Sequence, residues 1–227
     1  MQTTSNGRGL GVIFDLDGVL VDSGWAHKQA WRDLGEREGF SMSEEVFCRT
    51  FGLQNCEIIP MLLERDVSGE EMARMSDWKE QRYRELIGER LVPAEGAAAL
   101  VKDLKGEGFA LAVGSSAPRE NLELILGRLQ VEAYFDALVT CEDVGRSKPA
   151  PDTFLKAAEK LGLSPGRCAV VEDAVAGVQA GKAAGMSVVA VTSTKSRAEL
   201  AKADIVVDSL VELGAGDFVR LLRSGAI

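Results

Sequence analysis

Two aspartates, Asp15 and Asp17, follow directly after a short apolar run in the segment GVIFDLDGVLVDS, which spans residues 11–23. The run at 10–14 predicts a buried strand, so the two carboxylates would stand at a crowded and dry strand end. Like charges at such short range raise each other's pKa unless a counter-ion binds them. The pair therefore indicates a site that binds a ligand.

Further polar groups follow other strand-like segments of the chain. They are Ser115 and Ser116 after 109–114, Lys148 in the loop after 137–140, and Glu172 and Asp173 after 168–171. Because the carboxyl ends of neighbouring parallel strands meet at one edge of a sheet, we expect these side chains to converge with the aspartate pair.

The residue types in this group indicate phosphoryl transfer. Several carboxylates at one point form a hard oxygen site that suits Mg²⁺, and hydroxyls, a lysine and helix-start N–H groups bind phosphate. We expect Asp15 to attack phosphorus and form an aspartyl-phosphate, and Asp17 to protonate the leaving oxygen and then deprotonate the attacking water. In this division Asp15 is ionised and metal-bound, Asp17 is protonated, and Gly18 lets the backbone pass close to the substrate.

The elements that must position these residues alternate between strand and helix. Predicted strands lie at 10–14, 109–114, 137–140, 168–171, 187–191 and 204–207, and predicted helices between them at 95–107, 118–129, 151–162 and 174–185. This alternation predicts an α/β fold with a doubly wound, Rossmann-like parallel sheet.

One long segment after the first strand shows only helical periodicity. Its predicted helices lie at 25–38, 44–51, 57–64 and 69–88. We expect residues 1–22 and 93–227 to form the core domain and residues 23–92 a small α-helical cap domain. An insert at this point leaves the sheet at its carboxyl edge, where ligands bind, so it would act as a lid.

Composition excludes several classes of function. The 227 residues carry a net charge of −9, which disfavours nucleic acid and anionic membranes as partners, and no apolar stretch is long enough for a membrane span. Four cysteines without a CxxC pair and a single histidine argue against zinc and predict reduced, buried thiols in a cytoplasmic protein. Residues 1–9 lack the apolar segment of a signal peptide and predict a frayed terminus. We expect a monomer.

Four segments, FDLDGVLVDS, GSSAP, SKPAPD and VVEDAVAGVQAGKAAGM, resemble the motifs of the haloacid dehalogenase superfamily. More narrowly, residues 9–210 resemble its β-phosphoglucomutase-like phosphatases. The resemblance implies the following roles: Asp15 as nucleophile, Asp17 as general acid/base that also lends its backbone carbonyl to Mg²⁺, Ser115 and Lys148 as phosphoryl-holding groups, and Glu172 and Asp173 as the acidic pair near the metal, with Asp173 the better candidate for a direct ligand.

Residue types separate the related activities. Asp17 argues against a dehalogenase, because an alkyl chloride leaving group needs no proton. A mutase resembles the chain at His27 and Lys79, although the composition around Lys79 is typical of a solvated helix face. The loop FGLQNCE, however, has Asn55 where mutases carry an arginine that grips a second phosphate.

We therefore expect a Mg²⁺-dependent phosphatase that acts on a small phosphorylated metabolite such as a sugar phosphate. His27, Asn55 and Lys79 are candidate substrate contacts from the cap. A phosphosugar mutase is the first alternative, and a binding protein without catalytic activity is the second.

Overall fold

A computed structural model describes residues 7–224 and contains a six-stranded sheet. The strands are β1 (Gly11–Phe14), β2 (Ala110–Gly114), β3 (Ala137–Val139), β4 (Cys168–Glu172), β5 (Ser187–Val191) and β6 (Ile205–Val207). Their order is β3-β2-β1-β4-β5-β6, and all neighbours are parallel. This is the order of a doubly wound, Rossmann-like sheet, which confirms the predicted fold class.

The helices occupy both faces of this sheet and the segment after β1. They are α1 (Gly24–Glu38), α2 (Glu44–Thr50), α3 (Asn55–Leu63), α4 (Gly69–Glu89), α5 (Ala97–Gly106), α6 (Arg119–Leu129), α7 (Asp152–Leu161), α8 (Val175–Ala183) and α9 (Ala215–Ser224). The sequence patterning above did not predict α9. Its buried residues Ala215, Phe218 and Leu222 have the spacing of an amphipathic helix, so the signal was present.

Alternate residues of the strands point to opposite faces of the sheet. Val12 and Phe14 of β1 belong to the apolar cluster that includes residues of α5, α6 and α9, whereas Ile13 belongs to the cluster under α7 and α8. Both faces are therefore covered, which is why the strands appear in the sequence as continuous apolar runs.

The four helices α1–α4 form an insert between β1 and α5. Some of its apolar residues form a cluster of their own, which includes Trp31, Leu34, Phe47, Ile59 and Met75, whereas others, such as Tyr83 and Ile87, belong to a cluster of the sheet. The two connecting segments run side by side, because the N–H of residue 22 donates to the carbonyl of residue 92 at 2.8 Å and the N–H of residue 94 to the carbonyl of residue 20 at 3.1 Å. The insert thus leaves the sheet at the carboxyl end of β1.

Two expectations need correction. The four thiols are free but are not all buried: Cys48 and Cys56 are exposed, and Cys141 is half-buried. The N–H of Gly7 donates to the carbonyl of Glu107 at 2.9 Å, so the predicted fraying is wrong there. Residues 1–6, and residues 225–227 of the predicted core domain, lie outside the described part.

Across residues 7–224, no helix has both the length and the apolar character that crossing a bilayer requires.

The separate cluster of the insert generates a stability prediction. Leu34 is fully buried in it, so Leu34→Ala should lower the free energy of unfolding by about 2–5 kcal/mol through lost burial and a cavity. Urea denaturation measures this change. The matched control is Leu155→Ala, since Leu155 is 38% exposed and its truncation should cost about 1 kcal/mol or less. Equal losses for the two variants would contradict the assignment.

Candidate active site

The carboxyl ends of β1 and β4 bring three charged side chains together. Asp15 follows β1, Glu172 ends β4, and these two strands are neighbours where the strand order reverses. Lys148, from the loop before α7, donates to Asp15 Oδ1 at 2.9 Å and to Glu172 Oε1 at 2.7 Å. All three side chains are buried. The predicted convergence at this edge is therefore present.

Burial and charge decide how these groups titrate. Burial raises the pKa of Asp15 to about 7, while Lys148 opposes this shift and Glu172 adds to it. Burial also disfavours the charged form of Lys148, but Asp15 and Glu172 outweigh it and raise the pKa of the lysine above its usual value. Lys148 is therefore a fixed buried cation, and the Asp15 carboxylate lies in a site that solvates it poorly.

An acidic cluster at the same place fits a hard divalent cation. Ligand oxygens of Asp15, Glu172 and Asp173 lie within 4.8 Å of one another. Asp173 Oδ1 is buried and has no hydrogen-bond partner, whereas Asp173 Oδ2 accepts from Thr194 Oγ1 at 2.6 Å. Burial and the charges of Glu172 and Asp15 raise the pKa of Asp173 well above its usual range. An unpartnered carboxylate oxygen in such surroundings favours a cation such as Mg²⁺.

Glu172 differs from Asp173 because both of its oxygens already have donors. Oε1 accepts from Lys148, and Oε2 accepts the N–H groups of Asp173 and Ala174 at 2.8 and 2.9 Å. These contacts favour a role for Glu172 in holding Lys148 and the start of the next loop, and they leave Asp15 and Asp173 as the better metal ligands.

Gly18 lies against the acidic cluster. Its φ is +80°, and a Cβ at this position would stand 2.0 Å from Asp173 Oδ2. Gly18 is not among the residues that line the cavity described below. The absence of a side chain at Gly18 therefore leaves space for the Asp173 carboxylate. The sequence analysis predicted instead that Gly18 leaves space for the substrate.

Asp17 turns away from this cluster toward the helical insert. Its Oδ1 accepts from Ser23 Oγ at 2.5 Å and Tyr83 Oη at 2.9 Å and lies 3.1 Å from His27 Nε2. Burial would raise the pKa of Asp17, but His27 and the two hydroxyls hold it well below its usual range. This arrangement therefore favours the charged form of Asp17, whereas the sequence predicted the protonated form. Ser23 and Tyr83 carry no spacing signal, and sequence reasoning missed them.

Ser115 and Ser116 follow β2, as predicted, and both line the cavity. Ser115 Oγ accepts the N–H of Ala117 at 3.1 Å, and Ser116 Oγ is buried without a partner. Both residues thus line the same cavity as Asp15.

A cavity of about 610 Å³ lies between the insert and the carboxyl edge of the sheet. Asp15 and Lys148 line its sheet side, and His27, Asn55 and Lys79 line its insert side. This volume lies within the range of small-molecule sites. All three cap residues singled out from the sequence therefore face the cavity.

Lys79 is buried, so the prediction that it lies on a solvated helix face, made from the residues around it, is wrong. Its Nζ donates to Glu80 Oε1 at 2.7 Å, lies 2.9 Å from His27 Nδ1, and stands 5.3 Å from the centre of the Trp31 ring. Asn55 Nδ2 also donates to Glu80 Oε1, at 2.9 Å. Sequence reasoning missed Glu80, because an adjacent Lys-Glu pair on a polar helix is normally solvent-exposed. Its partners Asn55 and Asn121 belong to α3 and α6, and only the tertiary structure brings them to α4.

Comparison with known proteins agrees with this geometry. Residues 12–191 match the family model of haloacid dehalogenase-like hydrolases. Hexitol phosphatase A of Escherichia coli K12 is 35% identical over 205 residues, which cover 89% of this chain and 92% of that protein. Fructose-1-phosphate phosphatase YqaB of the same bacterium is 32% identical over 182 residues, which cover 80% and 96%. A solved β-phosphoglucomutase from Clostridium difficile has a TM-score of 0.86 at 29% identity and covers 94% of this chain and 97% of its own.

The unpartnered oxygen of Asp173 generates a prediction that needs no substrate. Magnesium at a hundredfold excess over its dissociation constant should raise the melting temperature by about 5–10 °C. Asp173→Asn should lose most of this rise, because the buried carboxylate that favours the cation is gone. Differential scanning fluorimetry with and without MgCl₂ measures both. Asp208→Asn, which neutralises an exposed carboxylate elsewhere, should keep the full rise, and a full rise in Asp173→Asn would refute the assignment.

Proposed function

The chain belongs to the haloacid dehalogenase-like hydrolase family, and on that premise we propose that it is a Mg²⁺-dependent phosphatase of small phosphorylated metabolites, most simply sugar or polyol phosphates. The observation that carries this proposal is the position of Asp15. Its carboxylate accepts from the fixed cation of Lys148, has a ligand oxygen within 4.8 Å of one of Asp173, and lines a cavity of metabolite size.

Asp15 would act as the nucleophile. Its carboxylate attacks phosphorus, so that a bond from Asp15 to phosphorus forms while the ester bond to the leaving oxygen breaks. Lys148 keeps its charge next to Asp15 and can bind the phosphoryl oxygens as they approach. Ser115 and Ser116 supply hydroxyls to the same oxygens, and the Ser116 hydroxyl has no partner in the protein to give up.

Asp17 would act as general acid and base in the two half-reactions. In the arrangement described, three groups favour its charged form, so it is ready to deprotonate the water that attacks the phospho-Asp15 intermediate. To protonate the leaving oxygen in the first half-reaction, Asp17 must first leave these donors, because burial alone then raises its pKa.

Asp15 and Asp173 are the side chains that would hold Mg²⁺, and the resemblance adds the backbone carbonyl of Asp17. When bound, the metal would offset repulsion between the carboxylates and the phosphate dianion and stabilise the charge on the transferring group.

A phosphosugar mutase remains the second candidate. The similarity in fold to a β-phosphoglucomutase and the presence of His27 and Lys79 at the cavity favour it. A mutase must grip a second phosphate, however, and Asn55 brings no charge to that place. Arg119 lies 3.4 Å from Asp143 and does not line the cavity, so it does not replace the missing cation.

We also propose the setting in which the activity operates. Residues 23–92 would form a cap domain that moves relative to the core, since the cavity lies between the two and both connecting segments are adjacent. The protein would act as a monomer in the cytoplasm. The net charge of −9 disfavours nucleic acid and membranes as partners. A small phosphorylated metabolite needs a local cation, which Lys148 would supply beside Asp15.

Removal of the nucleophile tests the mechanism. Asp15→Asn should lower Mg²⁺-dependent release of phosphate from p-nitrophenyl phosphate and from a panel of sugar phosphates by about a thousandfold or more, because an amide does not attack phosphorus. Asp22→Asn makes the same change at an exposed position nearby and should retain activity. Appreciable steady-state hydrolysis by Asp15→Asn would contradict an aspartyl-phosphate.

Product analysis separates phosphatase from mutase. With β-glucose 1-phosphate and a trace of glucose 1,6-bisphosphate, a phosphatase yields free phosphate and glucose, because nothing retains the intermediate for a second transfer. Glucose 6-phosphate formed without free phosphate would favour the mutase. Enzymatic glucose 6-phosphate detection and a phosphate assay on the same sample measure both products.

A further inference from the structure

The insert side of the cavity contains a buried carboxylate, that of Glu80, which has no role in the mechanism proposed above. Glu80 of α4 is 8% exposed and lines the cavity together with Lys79 and Asn55. It lies outside the acidic cluster formed by Asp15 and its neighbours. A buried charge of this kind is costly unless it is paired, so its partners indicate what it does.

Three donors converge on Glu80. Oε1 accepts from Lys79 Nζ at 2.7 Å and Asn55 Nδ2 at 2.9 Å, and Oε2 accepts from Asn121 Nδ2 at 2.7 Å. Burial opposes ionisation, but Lys79 and His27 outweigh it and lower the pKa of Glu80. A carboxylate has about four lone-pair positions, so Oε2 can accept one more hydrogen bond, which a hydroxyl in the cavity can supply.

Of the two cations of this wall, Lys79 is neutralised by a carboxylate and Arg84 is held by an amide. The charge of Lys79 is paired with Glu80, and Arg84, one turn further along α4, donates to Asn121 Oδ1 at 3.0 Å, so that one amide joins both charged residues. Three further carboxylates that do not belong to the acidic cluster of Asp15 line the cavity: Asp77, Glu120 and Glu142. A second anionic group of a substrate would therefore meet more negative than positive charge, whereas an uncharged hydroxyl would meet an acceptor.

We propose that Glu80 determines specificity: its carboxylate accepts a hydrogen bond from a substrate hydroxyl and excludes a second anionic group. The substrate is accordingly a monophosphate of a sugar or polyol, and neither a bisphosphate nor a phosphorylated carboxylic acid. This inference rests on the proposed phosphatase function and assigns the substrate class of that same cavity. The proposal also gives a physical reason why Asn55, at the position where mutases carry an arginine, donates a hydrogen bond to the buried Glu80.

The test compares two ligands that differ only in a second phosphate. Isothermal titration calorimetry in the presence of Mg²⁺ measures the dissociation constants of fructose 6-phosphate and fructose 1,6-bisphosphate. The protein carries Asp15→Asn, so that neither ligand is turned over. This background should bind the monophosphate more tightly. Adding Glu80→Gln should shift the ratio of the two constants by about tenfold toward the bisphosphate, because the excluding charge is lost and Lys79 is released.

Two further variants separate charge from structure. Glu80→Asp keeps the charge and should keep the preference for the monophosphate, even if both ligands bind less tightly. Glu85→Gln makes the same chemical change on the exposed side of α4 and should leave the ratio unchanged. Thermal unfolding of each variant establishes that the fold persists.

The outcomes distinguish the two proposals. Tighter binding of the bisphosphate by the Asp15→Asn background, or a ratio that Glu80→Gln leaves unchanged, overturns the role of Glu80 while phosphate release by the wild type still supports a phosphatase. Absence of any Mg²⁺-dependent phosphate release by the wild type overturns the phosphatase, whatever the binding ratio.

Discussion

The buried ion pairs of Lys148 with Asp15 and Glu172 are the interaction on which the rest of the site depends. Lys148 joins the ends of two adjacent parallel strands and lets carboxylates stand where solvent does not reach them. Breaking such a buried pair by removing one partner costs about 3–5 kcal/mol. The three residues therefore depend on one another, and the fixed cation beside a poorly solvated carboxylate is suited to the negatively charged ligand that we propose.

The parallel sheet explains why this arrangement forms at one place. β1 and β4 are neighbours although more than 150 residues separate them in the chain, and the polypeptide departs in opposite directions from them. A crevice opens at that reversal. Asp15, Glu172 and Asp173 lie at the carboxyl ends of these two strands, and the loop after β3 brings Lys148 to the same crevice.

The helical insert lines the cavity opposite the sheet and also contacts the loop after β1. Asp17 belongs to the loop after β1, yet its carboxylate contacts His27 and Tyr83 of the insert. The charge of Asp17 would therefore be coupled to the position of the insert, because the proposed movement of the insert would remove these two contacts. The sheet side of the cavity carries Asp15 and Lys148, which are suited to phosphate and metal, and the insert side, with Glu80, would contact the rest of the proposed substrate.

The sequence by itself determined the sheet, the insert and the group of residues at the strand ends, because each of them depends on residues that are close together in the chain. Apolar runs and helical periodicity mark the elements, and polar residues directly after a strand must lie at its carboxyl edge. Among the α-helices of residues 7–224, α9 was not predicted, although the spacing of its apolar residues is that of an amphipathic helix. Tertiary structure alone decided which charges are buried and who their partners are. The sequence presents Glu80 and Lys79 as an exposed pair on a polar helix, and only the neighbouring helices bring their partners His27, Asn55 and Asn121. The charge on Asp17 depends on His27 and on Tyr83, which is 66 residues away in the chain. Burial and long-range hydrogen bonds set the pKa of a carboxyl, and neither can be read from the residues next to it.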